Sequence, residues 1–286
     1  MSSWRKVVID FEKKAKERNV PEETVMAYLV EISQKERYDL YLHFDEEIPN
    51  DLITSFTKGM ERILNGEPMA HVLGYSWFYG YQIFVNEDVL IPRYETEELC
   101  AHILNRIDRF FSDKEKIDVA DVGTGSGAIA ITLAKEEKKC HLIASDISKE
   151  AIQIAKNNAL FNQADIQFYV GNMLDPLLDH KIKLDILVCN PPYIPKDEEM
   201  ESSVIDYEPH IALFGGEDGL KYYREVLAKV KDILRDKAII AFEIAWNQKA
   251  ALSKLVAEFL PSWSFEVVKD MSGKDRMLFI YKGITR

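Results

Sequence analysis

The chain has 286 residues, of which 47% are apolar and 29% are charged. These proportions are typical of a globular protein and exclude a fibrous or disordered chain. With 36 Lys and Arg residues against 48 Asp and Glu residues, the net charge is −12. Such an acidic surface repels phosphate backbones on average and therefore disfavours general binding of nucleic acid.

Cysteine and histidine usage indicates neither a metal site nor a disulfide framework. Cys100, Cys140 and Cys189 form no Cys-x-x-Cys pair, and the 6 histidines are scattered. We therefore expect no bound metal. The sequence has no apolar run of membrane-spanning length and no signal-peptide pattern, so we expect a cytoplasmic protein with no membrane partner.

The hydrophobic pattern divides the chain into three parts. Residues 1–72 carry apolar residues at helical spacing and predict a small helical domain, whose third helix begins near Asn50 and ends at Asn65-Gly66. Residues 73–92 are rich in aromatic and β-branched residues, which predicts a strand pair, a β-hairpin linking two domains. Residues 93–286 alternate predicted strands and helices.

This alternation predicts an α/β fold with a mostly parallel, Rossmann-like sheet covered by helices on both faces. We predict seven strands, with one reversed strand near the edge because a tight turn joins the last two. Helices are expected at Ser126–Lys135, Ser148–Asn162, Glu217–Leu234 and Asn247–Phe259. The predicted strands are Lys116–Val122, His141–Ser145, Ile166–Val170, Leu184–Cys189, Ala238–Ile244, Ser264–Lys269 and Arg276–Tyr281.

Ligands of open α/β sheets bind beyond the carboxyl ends of the strands, and the first predicted strand ends in a glycine-rich loop. The loop comprises Gly123, Thr124, Gly125, Ser126 and Gly127. Its glycines permit a tight turn and close approach of a ligand to backbone amides. The spacing fits both dinucleotide and S-adenosylmethionine sites, and a purely structural turn is the alternative.

The next two strand ends carry further candidates for a nucleoside site. Asp146 ends the second strand, where a carboxylate can accept hydrogen bonds from both ribose hydroxyls of an adenosine. The alternative is that Asp146 caps the following helix. Asn172 and Met173 follow the third strand, where they are placed to frame an adenine ring.

The fourth strand ends in Asn190-Pro191-Pro192-Tyr193, which predicts a stiff loop because each proline fixes its own backbone. The Asn190 side-chain oxygen and a backbone carbonyl near Pro191 can accept both N–H bonds of one NH₂ group. Tyr193 can stack on a flat substrate. The pattern favours a planar amide or an exocyclic amine as the group presented to an electrophile, and a proline turn that merely ends a strand is the alternative.

Asn190–Tyr193 after this glycine loop resembles the S-adenosylmethionine-dependent N-methyltransferases. More narrowly, the chain resembles the release-factor glutamine methyltransferases (the HemK/PrmC family) over nearly its whole length. Asn172 departs from the family, which often has an aspartate there. The motifs that carry the resemblance, besides Gly123–Gly127 and Asn190–Tyr193, are Gly66-Glu67-Pro68, Gly74, Val89–Arg93, Glu95-Thr96-Glu97, Tyr207-Glu208-Pro209, Ala212-Leu213, Gly215-Gly216, Asp218-Gly219-Leu220, Glu243, Gln248 and Arg276.

The resemblance implies methylation of the side-chain amide nitrogen (N5) of the glutamine in the Gly-Gly-Gln motif of peptide chain release factors. S-adenosylmethionine is then the cofactor, and the protein substrate is the partner. We assign catalysis to Asn190, Pro191 and Tyr193, and substrate binding to these residues and Pro192. We assign cofactor binding to the glycine loop, Asp146, Asn172, Met173 and Asn190. We expect Arg93, Glu95, Glu97 and Glu208 to pair in structural roles.

Two alternatives use the same residues. A DNA or RNA adenine N6-methyltransferase would stack a flipped base on Tyr193, but the net charge and the lack of a Lys/Arg-rich segment argue against it. A sensor that binds S-adenosylmethionine without catalysis would not need the complete Asn190–Tyr193 loop.

Overall fold

The computed structural model describes residues 3–198 and 205–285, which form two compact units. The first unit contains the helices up to Gly74, together with a short segment that ends at Tyr207. The second unit contains the chain from Tyr75 onward, apart from that segment. No helix among the described residues is long and apolar enough to cross a membrane.

The first unit is a small helical domain. In its described part the helices are α1 (Trp4–Glu17), α2 (Glu23–Ser33), α3 (Arg37–Leu42), α4 (Asn50–Leu64) and α5 (Met69–Leu73). The predicted bounds of α4 are confirmed, whereas α3 and α5 were not predicted because each is too short to display a hydrophobic period. The amphipathic faces of α1, α2 and α4 meet in one core, where the Phe11 and Phe56 rings pack edge to face at 5.1 Å.

The second unit opens with a hairpin of β1 (Tyr75–Phe78) and β2 (Tyr81–Phe84), in the region where a strand pair was predicted. Tyr79 and Gly80 form its two-residue turn and both have positive φ, as the right-handed twist of a short hairpin requires. Two asparagines fasten the hairpin to a later helix. Asn158 accepts from the Phe84 N–H at 2.8 Å and donates to its carbonyl at 2.9 Å, while Asn162 donates to the Gln82 carbonyl at 3.0 Å.

The predicted sheet is confirmed. Its seven strands among the described residues lie in the order β5-β4-β3-β6-β7-β9-β8, and β9 alone of these runs opposite to the other six. The strands are β3 (Ile117–Val122), β4 (Cys140–Asp146), β5 (Ile166–Val170), β6 (Leu184–Cys189), β7 (Leu234–Glu243), β8 (Ser264–Lys269) and β9 (Asp275–Lys282).

Helices connect these strands. They are α6 (Tyr94–Phe110), α7 (Ala128–Glu136), α8 (Lys149–Phe161), α9 (Asp175–Asp179), α10 (Lys221–Lys229) and α11 (Lys249–Phe259), with 3₁₀ turns at His210–Ala212 and Val230–Asp232. The helix predicted over Glu217–Leu234 is shorter, because Gly219 has a φ of +72° and cannot continue a helix. The strand that follows this helix begins at Leu234, whereas the predicted strand began at Ala238.

The strand order places a crevice beside β3. The chain runs from β3 to β4 and β5 on one side, and then returns to place β6 and β7 on the other. At this reversal the helices that follow β3 and β6 leave in opposite directions, so the carboxyl ends of both strands stay uncovered. The glycine loop and the Asn190–Tyr193 loop therefore begin side by side.

Gly59 provides a test of packing in the helical unit. A methyl group at this position would lie 1.8 Å from the Tyr28 hydroxyl oxygen, and Tyr28 is itself buried against Phe56. Replacing glycine by alanine inside a helix normally stabilises it by up to about 1 kcal/mol. We expect Gly59→Ala instead to reduce the free energy of unfolding by roughly 1–3 kcal/mol, the usual cost of overpacking.

Denaturant unfolding of Gly59→Ala and wild type measures this difference directly. The matched control is Ser55→Ala, at an exposed position of the same helix, which should leave stability unchanged or slightly higher. A Gly59→Ala protein as stable as that control would show that Tyr28 moves aside at no cost.

Candidate active site

A cavity that is open to solvent lies at the carboxyl ends of β3, β4, β5 and β6. Six of the predicted cofactor residues line it, namely Gly123, Gly125, Asp146, Asn172, Met173 and Asn190. The structure thus brings together residues from four separate strand ends.

The glycine loop turns sharply between β3 and α7. Gly123, Gly125 and Gly127 all have positive φ, which accounts for three glycines in five residues. Gly127 also packs against α8, where a methyl group would lie 3.1 Å from the Ala155 Cβ. Thr124 and Ser126 are buried and do not line the cavity, so the structure places only Gly123 and Gly125 of this loop at its surface.

Asp146 is held at the cavity wall by backbone amides. One carboxylate oxygen accepts from the Gly125 N–H and the other from the Ser148 N–H, each at 2.9 Å. The N-cap of α8 is Ser148, whose hydroxyl accepts from the Ala151 N–H at 3.0 Å, so Asp146 does not cap that helix. Burial raises the pKa of Asp146, and the two amide hydrogen bonds oppose this shift.

The charge of the cavity distinguishes between a dinucleotide and S-adenosylmethionine, the two ligands that the spacing of the glycine loop fits equally. The described lining residues include the carboxylates of Asp88 and Asp146 and contain neither Lys nor Arg. A dinucleotide would bring the negative charges of a pyrophosphate next to these acids. S-adenosylmethionine carries a sulfonium and an ammonium against a single carboxylate, so its net positive charge fits this wall.

The Asn190–Tyr193 loop is held by backbone contacts on its far side. The Ile194 N–H donates to the Leu213 carbonyl at 3.1 Å, and the Gly215 N–H donates to the Ile194 carbonyl at 2.8 Å. Gln248 donates to the Tyr193 carbonyl at 3.1 Å. Any Cβ at Gly215 would lie 2.5 Å from the Pro192 carbonyl oxygen, so this approach requires glycine. Asn190 and Pro192 line the cavity, whereas the predicted residues Pro191, which is buried, and Tyr193, which packs against the core, do not.

A buried carboxyl group lies behind this loop. The Asn190 Nδ2 donates to the Thr96 hydroxyl at 3.4 Å, and that hydroxyl donates to Glu243 at 2.6 Å. The Tyr193 hydroxyl reaches the other Glu243 oxygen at 3.5 Å. Glu243 is 1% exposed, and this burial raises its pKa to about 7 despite the Thr96 hydrogen bond and the charge of Arg276. Burial likewise raises the pKa of Tyr193.

The sequence pattern did not predict part of the cavity wall. The additional lining residues are Asp88, Val89, Leu90, Ile147, Ser148, Ala151, Gly171, Pro209, Ile211, Ala212 and Tyr222. Glu208 joins two of these segments, because its carboxylate accepts from the Ile91 N–H at 3.2 Å and pairs with Arg93. The motifs around Val89 and Pro209 carried the family resemblance, but their spacing alone did not indicate contact with a ligand.

Comparison with known proteins agrees with this geometry. The family model described as "Methyltransferase small domain" matches residues 103–206, and the "PrmC N-terminal domain" matches residues 10–74. A release factor glutamine methyltransferase of Bacillus anthracis is 45% identical over 253 residues, covering 88% of this chain and 89% of that protein. The Bacillus subtilis (strain 168) protein of the same name is 42% identical, covering 85% of each chain.

Solved structures support the fold. The crystal structure of a methyltransferase from Pyrococcus furiosus gives a TM-score of 0.53 at 16% identity, covering 79% of this chain and 98% of that one. The fold, the acid-lined cavity and relatives that match over most of both chains point to the same assignment. The chain belongs to the release factor glutamine methyltransferases, which are S-adenosylmethionine-dependent enzymes.

Proposed function

We propose that this protein transfers the methyl group of S-adenosylmethionine to the side-chain amide nitrogen of the Gly-Gly-Gln glutamine in peptide chain release factors. The observation that carries the proposal is the placement of Asn190. Its side chain lines the cavity, and its NH₂ group is engaged by Thr96, which leaves its oxygen available to a substrate NH₂ group. The same proposal places the enzyme in the cytoplasm, where translation ends.

The cofactor residues would act mainly by position. The Asp146 carboxylate would accept from the ribose hydroxyls, and Gly123 and Gly125 let the ligand approach the loop backbone. Asn172 and Met173 would border the adenine ring. When bound, S-adenosylmethionine supplies an electrophilic methyl group on a positively charged sulfur.

The substrate residues would overcome the poor nucleophilicity of an amide. Its nitrogen lone pair is delocalised, so the group must be held in line with the methyl carbon. The Asn190 side-chain oxygen and the Pro191 carbonyl would accept both N–H bonds, while Pro192 stiffens the loop and Tyr193 stacks on the amide plane. Orientation of this kind contributes several kcal/mol to catalysis. The new N–CH₃ bond would form as the S–CH₃ bond breaks, and the proton of one N–H bond would leave to solvent.

The described part of the helical unit has no group placed for this chemistry, and we assign this unit to binding of the protein substrate. Residues 1–72 would grip the release factor away from its glutamine, with residues 73–92 linking this domain to the methyltransferase domain of residues 93–286. Three large apolar side chains of α3 support this role by their exposure, which is 63% for Tyr38, 56% for Tyr41 and 75% for Leu42. Apolar groups clustered at a surface mark interaction sites more often than isolated ones.

Labelled S-adenosylmethionine tests the function. The purified protein is incubated with the labelled cofactor and an intact release factor, and the label is located by peptide mass. We expect it on the glutamine of Gly-Gly-Gln. Labelling of adenine in added DNA or RNA, with none on the release factor, would instead favour the adenine N6-methyltransferase.

Removal of the Asn190 side chain tests the mechanism. We expect Asn190→Ala to reduce single-turnover methylation by roughly a hundredfold or more, the scale of losing one positioned polar contact in a transition state. Cofactor affinity and melting temperature should change little, because the side chain lies in an open cleft. Asn157→Ala, on the exposed face of α8, is the control. A near-normal rate in Asn190→Ala would remove this residue from the mechanism.

Asp146 is expected to act on binding rather than on transfer. Replacing its carboxylate by an amide keeps the shape but weakens charge-assisted hydrogen bonds, each worth about 1.5–3 kcal/mol. We expect Asp146→Asn to weaken S-adenosylmethionine binding by roughly tenfold to a hundredfold in calorimetry, with a much smaller loss of rate at saturating cofactor. Asp165→Asn makes the same charge change at an exposed site. Equal cofactor affinity in both variants would contradict the assignment.

The α3 surface should matter only for a large substrate. We expect the double variant Tyr41→Ser, Leu42→Ser to raise the KM for intact release factor about tenfold, while methylation of a short Gly-Gly-Gln peptide stays unchanged. Leu160→Ser removes an equally exposed leucine from α8 and serves as the control. Unchanged KM values for both substrates would show that this surface does not contact the release factor.

A further inference from the structure

The orientation of the Asn190 amide is decisive if the proposed function holds, and the inference below rests on that function. An asparagine amide has nearly the same shape after a half-turn, but the turn exchanges its oxygen for its NH₂ group. With the oxygen toward the substrate, the side chain accepts from the glutamine NH₂. With its own NH₂ toward the substrate, two donors face each other and the glutamine is repelled.

We propose that Thr96 and Glu243 are positioning residues that fix the Asn190 amide with its oxygen toward the substrate. Neither residue lines the cavity, and both are buried, at 5% and 1% exposure. They act through Asn190 by a directed chain of hydrogen bonds that begins at the carboxylate.

The direction of the chain follows from donor and acceptor chemistry. An ionised carboxylate can only accept, so the hydroxyl hydrogen of Thr96 is committed to Glu243 at 2.6 Å. The Thr96 oxygen then has only lone pairs to offer Asn190, and it accepts from Nδ2 at 3.4 Å. A half-turn of the amide would bring the Asn190 oxygen against the Thr96 lone pairs. The carboxylate thereby selects one of two amide orientations.

The same carboxyl group also contacts the other functional side chain of the loop. The Tyr193 hydroxyl lies 3.5 Å from the Glu243 oxygen that Thr96 does not use. The Glu243 backbone is fixed as well, because the buried Tyr223 hydroxyl donates to its carbonyl at 2.7 Å. One rigid group at the end of β7 therefore orients both Asn190 and Tyr193.

Protonation of Glu243 would remove the preference for one orientation of the Asn190 amide. A neutral carboxyl group can donate to Thr96, which frees the Thr96 hydrogen for the Asn190 oxygen and permits the reversed amide. The charged and titratable groups that face Glu243 are Glu95 and Cys100 on α6, Arg276 on β9, Tyr223 on α10 and Tyr193 on the loop. Their combined effect with burial places the pKa of Glu243 at about 7, so we expect kcat to fall as the pH is lowered through this value.

Paired substitutions at Thr96 test the proposal. Thr96→Val keeps the shape of the side chain and removes the hydroxyl, whereas Thr96→Ser keeps the hydroxyl. We expect single-turnover methylation of intact release factor to fall about tenfold in Thr96→Val, which corresponds to about 1.4 kcal/mol. Thr96→Ser should restore most of that loss. The KM for S-adenosylmethionine should not change in either variant.

The Thr96→Val substitution in the Asn190→Ala variant distinguishes a positioning role of Thr96 from a merely structural one. If Thr96 acts through Asn190, Thr96→Val adds no further loss of rate to Asn190→Ala. A tenfold loss that persists in that background, or a normal rate in Thr96→Val, would overturn the proposal. Where Thr96→Val has a lowered melting temperature, Thr96→Ala tests the same expectation. Failure of the wild-type protein to methylate would instead count against the proposed function.

The pH profile gives an independent measurement. In Glu243→Gln the side-chain amide does not titrate, and its NH₂ group can donate to Thr96 at every pH. We expect kcat to be low and to lose its fall near pH 7, whereas wild type and Thr96→Ser should retain that fall. An unchanged profile in Glu243→Gln would assign the titration to another group and remove Glu243 from the positioning role.

Discussion

The arrangement of the active site depends on the reversal of strand order beside β3. Parallel strands all end at the same edge of the sheet, and here β3 has β4 on one side and β6 on the other. The connections after β3 and β6 therefore diverge, which leaves an opening between the two strand ends. Each strand end then needs only a short local motif to contribute to a common cavity. Glycines at one end, an acid at the next and Asn-Pro-Pro-Tyr at a third suffice.

Close backbone approach makes this opening rigid. Gly215 lies so near the Pro192 carbonyl, and Gly219 so near the Tyr193 carbonyl, that any side chain would collide with the loop. The Ile194 backbone meanwhile pairs with the chain around Leu213, extending sheet-like hydrogen bonding past the strand end. A loop held on one side by backbone and stiffened by two prolines cannot rotate freely. The loop backbone around Asn190 and Tyr193 is therefore held in one conformation.

Sequence patterns predicted the parts of the molecule that are governed by local rules. The alternation of strand and helix gave the sheet, and Asp146 and Asn190 were selected because each stands at the end of a buried strand. The wall formed by Asp88, Val89, Pro209 and Ile211 had no such local signal. It arises from contacts between distant segments, such as the Glu208 carboxylate with the Ile91 amide, which no periodicity encodes. The short helices α3 and α5 were not predicted for a related reason, because five or six residues form less than two helical turns.

Thr96 and Glu243 show why positioning groups are harder to predict than contacting ones. Both were noticed only as motif residues, because their roles depend on a meeting between the start of α6 and the end of β7. Burial raises the pKa of Glu243 to about 7 from an ordinary value of 4.5, so the folded state holds its proton more tightly than the unfolded chain does. The contribution of this bound proton to the free energy of unfolding is complete below about pH 4.5 and is lost as the pH rises through about 7.

Asp121 adds a second loss of the same sign, because burial raises its pKa to about 7 as well. At neutral pH the fold thus carries two buried acids in their unfavourable range. Asp121 has a local explanation, since it accepts from the Thr124 hydroxyl at 2.6 Å and thereby shapes the glycine loop. A neutral amide in place of the Glu243 carboxyl group would avoid the cost at this position, yet it could also donate to Thr96 and so reverse the hydrogen-bond chain that reaches Asn190. Only an ionised acceptor at the end of β7 commits the Thr96 hydrogen to one hydrogen bond. Burial of that charge therefore fixes the orientation of the Asn190 amide.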